Sequence, residues 1–177
     1  MTNSEYAVLA QRTASTKTRK DKLGHGCLGL IGEAGEIVDI IKKMKYMGMT
    51  EELAREKLID ESGDFLWYMV EICAGMNISF EDVMEEAPIW NCFNESLEEA
   101  AVNICWRVSD MHNIDIREMM ENIDGEDLGE IASCLLDVLE YIHVGIDEVK
   151  EKNIEKLKKR YPDGFSAERS NERYGRG

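Results

Sequence analysis

Leu58-Ile59-Asp60-Glu61-Ser62-Gly63-Asp64-Phe65-Leu66-Trp67-Tyr68-Met69-Val70-Glu71-Ile72-Cys73 sets apolar side chains at three- and four-residue steps, through Leu58, Phe65, Leu66, Met69, Ile72 and Cys73. That is the period of a helix with one buried stripe, whereas a strand would alternate at every second residue. Thr50 is a suitable N-cap, because its hydroxyl can accept from an orphan backbone N–H of the first turn. The pattern continues to about Gly75, with Leu53 also expected to face inward.

The same period appears on both sides. From about Leu23 to Met44 the stripe runs Leu23, Cys27, Leu30, Ile31, Val38, Ile41, and Gly24, Gly26, Gly29, Gly32 and Gly35 are spread along it. Each glycine weakens a helix by about 1 kcal/mol relative to alanine, so close approach of a neighbouring helix or a ligand is expected to compensate. Upstream, Asn3 or Ser4 is expected to cap a short helix containing Tyr6, Val8 and Leu9, with Thr13 to Lys22 as a polar connection. Downstream, Ser79 to Asp82 opens a short helix that ends before Pro88. Further helices are expected over about Leu97–Asp110, Ile116–Ile123, Glu126–His143 and Asp147–Arg160, ahead of a polar tail. The fold class is all-α, a helical bundle.

A constant offset that carries Val83 onto Val149 also carries Asp60, Glu61, Gly63, Asp64 and Glu71 onto Glu126, Asp127, Gly129, Glu130 and Asp137. Under it Phe65, Met69, Val70, Ile72 and Cys73 fall on Ile131, Leu135, Leu136, Val138 and Leu139. We read a tandem, degenerate duplication of a two-helix unit. The expected organisation is a first module over 1–84, a linker over 85–96, a second module over 97–165 and a tail over 166–177.

Bulk properties narrow the function. The 177 residues, 44% hydrophobic, can bury one core or two small modules that share one. A formal net charge of −15 repels polymeric nucleic acid, whose affinity comes from Lys and Arg, yet a small phosphorylated substrate stays compatible if carboxylates hold cations. Cys27, Cys73, Cys92, Cys105 and Cys134 include no Cys-x-x-Cys pair and read as reduced core thiols. The start, Met-Thr-Asn-Ser-Glu-Tyr, lacks a basic region followed by an apolar stretch, and the run Phe65 to Met76 is cut by Glu71 and too short to span a bilayer. A cytoplasmic location with no membrane contact is the expectation.

The chemistry-bearing residues lie on the two long helices. Glu33 and Glu36 are three apart and share one helix face; Glu61 and Asp64 repeat the spacing. If the helices pack antiparallel, four carboxylates meet at one interface. Unpaired, they would cost several kcal/mol each, unless they protonate or share a cation. An all-oxygen set suits Mg²⁺ or Mn²⁺. Pairs of this kind commonly line solvated faces, but here glycine and apolar neighbours point to burial.

At these residues a resemblance becomes specific. Gly29-Leu30-Ile31-Gly32-Glu33-Ala34-Gly35-Glu36, then Glu61-Ser62-Gly63-Asp64-Phe65-Leu66-Trp67-Tyr68, resembles the Glu-x-x-Glu and Glu-x-x-Asp signature of MazG-like pyrophosphohydrolases. Asn153-x-x-Lys156-Leu157-x-x-Arg160-Tyr161-Pro162-x-Gly164-Phe165 is similar to the closing segment of the same family. The likeness covers residues 23–83 and 146–165; the degenerate second copy between them resembles the arrangement in dimeric dUTPases of the same superfamily. The resemblance implies hydrolysis of nucleoside triphosphates between the α and β phosphates, giving a monophosphate and pyrophosphate. It also implies Glu33, Glu36, Glu61 and Asp64 as metal-binding catalytic residues, and pairing of units through their helices, so a homodimer is open.

Asn153, Lys156 and Arg160 share one face of the last helix and are expected to bind phosphate, although a helix C-terminus favours basic residues in any case. Lys43, two turns beyond Glu36 on its face, is a further candidate for a terminal phosphate. Trp67 and Tyr68 are expected in the core rather than stacked on a base. His25, His112 and His143 read as structural: a di-iron bundle would need paired Glu-x-x-His motifs and only Glu140-x-x-His143 exists. The run Gly24 to Gly35 lacks the Gly-Lys-Ser/Thr ending of a P-loop. The alternative to an enzyme is an acidic helical module that binds nucleotide or a protein partner.

Overall fold

The computed structural model describes residues 1–87, 94–110 and 125–174. Among them the regular elements are helices, with no strand: α1 (Asn3–Gln11), α2 (Arg19–Tyr46), α3 (Glu51–Met76), α4 (Phe80–Glu86), α5 (Leu97–Asp110), α6 (Gly125–Tyr141), α7 (Ile146–Arg160) and α8 (Ala167–Tyr174). The helix expected over Ile116–Ile123, residues 88–93 of the expected linker, Cys92 and His112 lie outside the described residues.

Helix starts follow local chemistry. Thr50 caps α3 and Ser79 caps α4, each hydroxyl accepting from a first-turn N–H. Two starts differ from the sequence expectation. Thr2, not Asn3 or Ser4, caps α1 through a reciprocal box with Glu5. Thr18 caps α2, so the helix claims Arg19–Lys22 from the expected connection. Gly48, at φ 78°, provides the left-handed residue that turns the chain between α2 and α3. Asn77 ends α3 in the same conformation, with Ile78 N–H bonded to Cys73 C=O at 3.0 Å.

The short connection makes α2 and α3 an antiparallel pair, and this pair is the most extensive helix packing among the described residues. Leu30, Ile37, Leu58, Phe65, Leu66, Met69 and Ile72 are fully enclosed. At roughly 1.5–3 kcal/mol per buried side chain, this outweighs the glycine cost along α2. Close approach explains part of the glycine run: at Gly26 a Cβ would strike Ile72, and at Gly29 it would fall inside the Tyr68 ring. At Gly24, Gly32 and Gly35 no neighbouring helix comes that close. Ile31 and Leu53, expected inward, are exposed, and Ile37 and Ile40 are buried instead.

α5 lies along α2 and pairs with α6, α7 packs on α3, and α1 crosses α3, α4 and α7. One apolar cluster runs through both halves of the chain, from Tyr6 to Leu157. Cys27, Cys73, Cys105 and Cys134 are free thiols, and burial pushes Cys27 and Cys73 up to about 12, where they stay protonated. No helix among the described residues is long and apolar enough to cross a membrane. The expected polar tail is not featureless, because its residues form α8 up to Tyr174.

Candidate active site

Antiparallel packing brings the middle of α2 against the middle of α3. Glu33, Glu61 and Asp64 each offer a carboxylate oxygen, and these atoms lie within 4.8 Å of one another. Glu36 is more exposed and stands outside that group, yet its charge raises both Glu33 and Glu61. Burial, with Asp64, Glu61 and Glu36 around it, pushes Glu33 up to about 8; Lys156 opposes the rise. Glu61 is raised by burial first and then by Glu36, Asp60 and Asp64.

Asp64 is the anchored member. Asn153 Nδ2 donates to its Oδ1 at 3.0 Å, and Lys156 Nζ sits 2.8 Å from its Oδ2. Lys156 also bonds Asp60. Behind Asn153, the fully buried Tyr6 hydroxyl donates to Asn153 Oδ1 at 3.0 Å and to Gly63 C=O at 3.2 Å. Burial and then the Asp64 charge push the Tyr6 phenol up, so it remains a donor. Gly63 is needed for this approach: a Cβ there would sit 2.8 Å from Asn153 Cβ.

Beside the carboxylates opens a cleft of about 270 Å³, whose wall includes Glu33, Asp64, His25, Trp67, Tyr68 and Arg160. Trp67 is anchored by its indole N–H, which donates to Thr13 Oγ1 at 2.9 Å and Ala10 C=O at 3.1 Å. A second, larger cleft of about 640 Å³ shares Arg160 with the first and is lined as well by Lys156, Lys57, Lys152 and Lys159.

Residues 26–88 match the model of the MazG nucleotide pyrophosphohydrolase domain. This stretch is MazG-like. Comparison with the curated proteins and with the solved structures gives no match. The matched stretch contains all four carboxylates, whereas Asn153, Lys156 and Arg160 reach it from α7, beyond the match.

The donor set of the MazG-like stretch fits a hard divalent cation. All the atoms are carboxylate oxygens, and their crowding, visible in the raised Glu33, is the strain that a shared cation relieves. The other expected residues divide. Lys156 and Asn153 are brought to the cluster and Arg160 to the cleft, but Lys43 is paired with Asp39 and lines neither cleft. Trp67 is buried as expected, yet with Tyr68 it also forms cleft wall. His25, expected to be structural only, lines the same cleft. Tyr6 is the contributor the sequence did not reveal, since no local pattern joins it to a partner 147 residues away.

Where the sequence suggests a second copy, the arrangement differs. The offset places Glu99, Val102, Asp127 and Glu130 at the positions of Glu33, Glu36, Glu61 and Asp64. Val102 is exposed, and Glu130 is ion-paired with Arg107, which falls where the first copy has Ile41. A fixed guanidinium meets the charge that Asp64 shares with Lys156 in the first copy.

Proposed function

We propose that the chain is a Mg²⁺-dependent nucleoside triphosphate pyrophosphohydrolase, able to use Mn²⁺, that takes a small nucleotide rather than a polymer. The observation that carries this reading is the convergence of Glu33, Glu61 and Asp64 within 4.8 Å, inside the MazG-like stretch and next to Lys156. Glu33, Glu36, Glu61 and Asp64 would hold the cation, which supplies charge neutralisation at the phosphates and a more acidic water.

The chain's own residues do the rest. Arg160, which lines both clefts, and Lys156, which lines the larger one, bind phosphate oxygens, and Lys156 is held ready by Asp64 and Asp60. Asn153 and Tyr6 fix the rotamer of Asp64, so that no reorganisation is needed when substrate arrives. Trp67 and Tyr68 wall the cleft and limit water around the reacting phosphate. A carboxylate accepts the proton of the attacking water; its oxygen bonds to phosphorus, and the bridge between the α and β phosphates breaks to leave a monophosphate and pyrophosphate.

Incubating the purified protein with the common nucleoside triphosphates and MgCl₂, then separating the products by anion exchange, tests this. Monophosphate and pyrophosphate are expected. Diphosphate and inorganic phosphate would overturn the cleavage site, and no turnover of any triphosphate would favour a non-catalytic, nucleotide-binding module.

A further inference from the structure

Glu71 is the most enclosed acid of α3, with a fully buried side chain, and the reaction proposed above does not use it. Gln11 Nε2 donates to it at 2.7 Å, the Thr16 hydroxyl donates to its other oxygen, and Lys22 Nζ stands 3.5 Å away. His25 Nδ1 lies 3.9 Å from Glu71 Oε1, too far for a hydrogen bond, and this buried nitrogen has no other hydrogen-bond partner. The His25 side chain is nevertheless 41% exposed, so its open edge is the Nε2 edge, on a ring that lines the cleft beside the carboxylates. Trp67 and Tyr68 hold that ring edge-on, with centroids at 5.7 and 5.4 Å.

We propose that His25 is the residue that reads the nucleobase, with Glu71 as the positioning residue behind it, and that the base read is one bearing an amino group. The proposal rests on the cleft being the nucleotide site of a pyrophosphohydrolase. A carboxylate facing Nδ1 favours the tautomer with its proton on that nitrogen, which leaves Nε2 a bare acceptor. Burial acts to raise Glu71, but the nearby His25 ring, the Thr16 and Gln11 donors and the Lys22 charge outweigh it and hold the carboxyl below its usual range, so the directing charge is present at neutral pH. An acceptor in the cleft wall pairs with the exocyclic amine of cytosine or adenine. It repels the carbonyl that uracil or hypoxanthine presents at the same place, and a polar mismatch of this kind discriminates more strongly than a change in apolar size.

The test is kcat/KM for dCTP against dUTP and for dATP against dITP, in the parent, His25→Ala and Glu71→Gln, each confirmed as folded by circular dichroism. The parent is expected to favour the amino member of at least one pair by about tenfold or more. Both variants should bring that ratio close to one; as a ratio, it is unmoved by a general loss of rate. No preference in the parent, a keto preference, or a preference that survives His25→Ala overturns the proposal while leaving the hydrolase reading intact. If Glu71→Gln does not fold, His25→Ala decides alone, since its side chain is partly exposed. If the parent cleaves no triphosphate, the hydrolase reading fails. Equilibrium dialysis of dCMP, dUMP, dAMP and dIMP then decides: amino-selective binding lost in His25→Ala supports the proposal, and its absence overturns it.

Discussion

Asn153 on α7 donates its amide N–H to Asp64 on α3 at 3.0 Å, and this bond ties the last long helix to the carboxylate cluster of the MazG-like stretch. Tyr6 completes a chain from α1 through Asn153 to Asp64. Tyr6→Phe removes one donor and leaves the Asn153 oxygen short of a partner in a buried site, at a cost of about 1–3 kcal/mol. Urea denaturation should show a lower midpoint, and kcat should fall several-fold with KM nearly unchanged. A loss of stability with kcat intact would reduce Tyr6 to a purely structural role.

Gly63→Ala tests the same relay from the backbone. The added Cβ would stand 2.8 Å from Asn153 Cβ, so α7 must shift or Asn153 must turn from Asp64. Overpacking of this sort costs roughly 1–3 kcal/mol. Activity should drop by about tenfold or more, since small misplacement of a reacting group is expensive in rate; a fully active, equally stable variant would contradict the geometry.

Glu33 gives a pH dependence with a definite sign. Burial and the neighbouring carboxylates raise it from 4.5 to about 8 in the metal-free protein. Between those values the folded state holds a proton that the unfolded chain has released, so the contribution is complete below the unfolded pKa and is lost as pH rises toward 8. The metal-free urea midpoint should therefore fall between pH 5 and pH 8, and MgCl₂ should restore more of it at pH 8 than at pH 5. Titrating Mg²⁺ calorimetrically at pH 7 in buffers of different ionisation enthalpy should show release of about one proton. A midpoint that climbs with pH and ignores Mg²⁺ would contradict the metal assignment.

The second copy is expected to be a scaffold that packs on the first where another subunit would otherwise sit, leaving one active site per chain. Replacing Glu99, Asp127 and Glu130 together by their amides should leave turnover within a few-fold of the parent, because Val102 breaks the ligand pattern and Arg107 already occupies Glu130. Loss of activity in a variant that stays folded by circular dichroism would make that copy catalytic.

What could be read from the sequence follows from how local the signal is. α3 was legible because a buried stripe and the Thr50 cap are both written within a few residues. The carboxylate pairs were legible because their spacing and glycine-rich setting imply a face and its burial. Ile31 and Leu53 misled, since a helix stripe shows which residues share a face but not where the neighbouring helix stops covering it. Lys43 shares the face of Glu36, but the nearer Asp39 holds it. The place of His25 depends on the α2–α3 register, which Gly26 and Gly29 permit by letting Ile72 and Tyr68 close in. Tyr6 meets Asn153 only after the whole chain has folded.

The most direct measurement of the central claim is Mg²⁺-dependent pyrophosphate release by the parent, Glu36→Gln and Asp64→Asn side by side, with circular dichroism to confirm that all three are folded. Each substitution takes a charged oxygen from the cation while barely changing side-chain volume. The account predicts that the parent converts a nucleoside triphosphate to monophosphate and pyrophosphate only with the cation present, and that both variants lose nearly all of that activity. Full activity in either folded variant would contradict it.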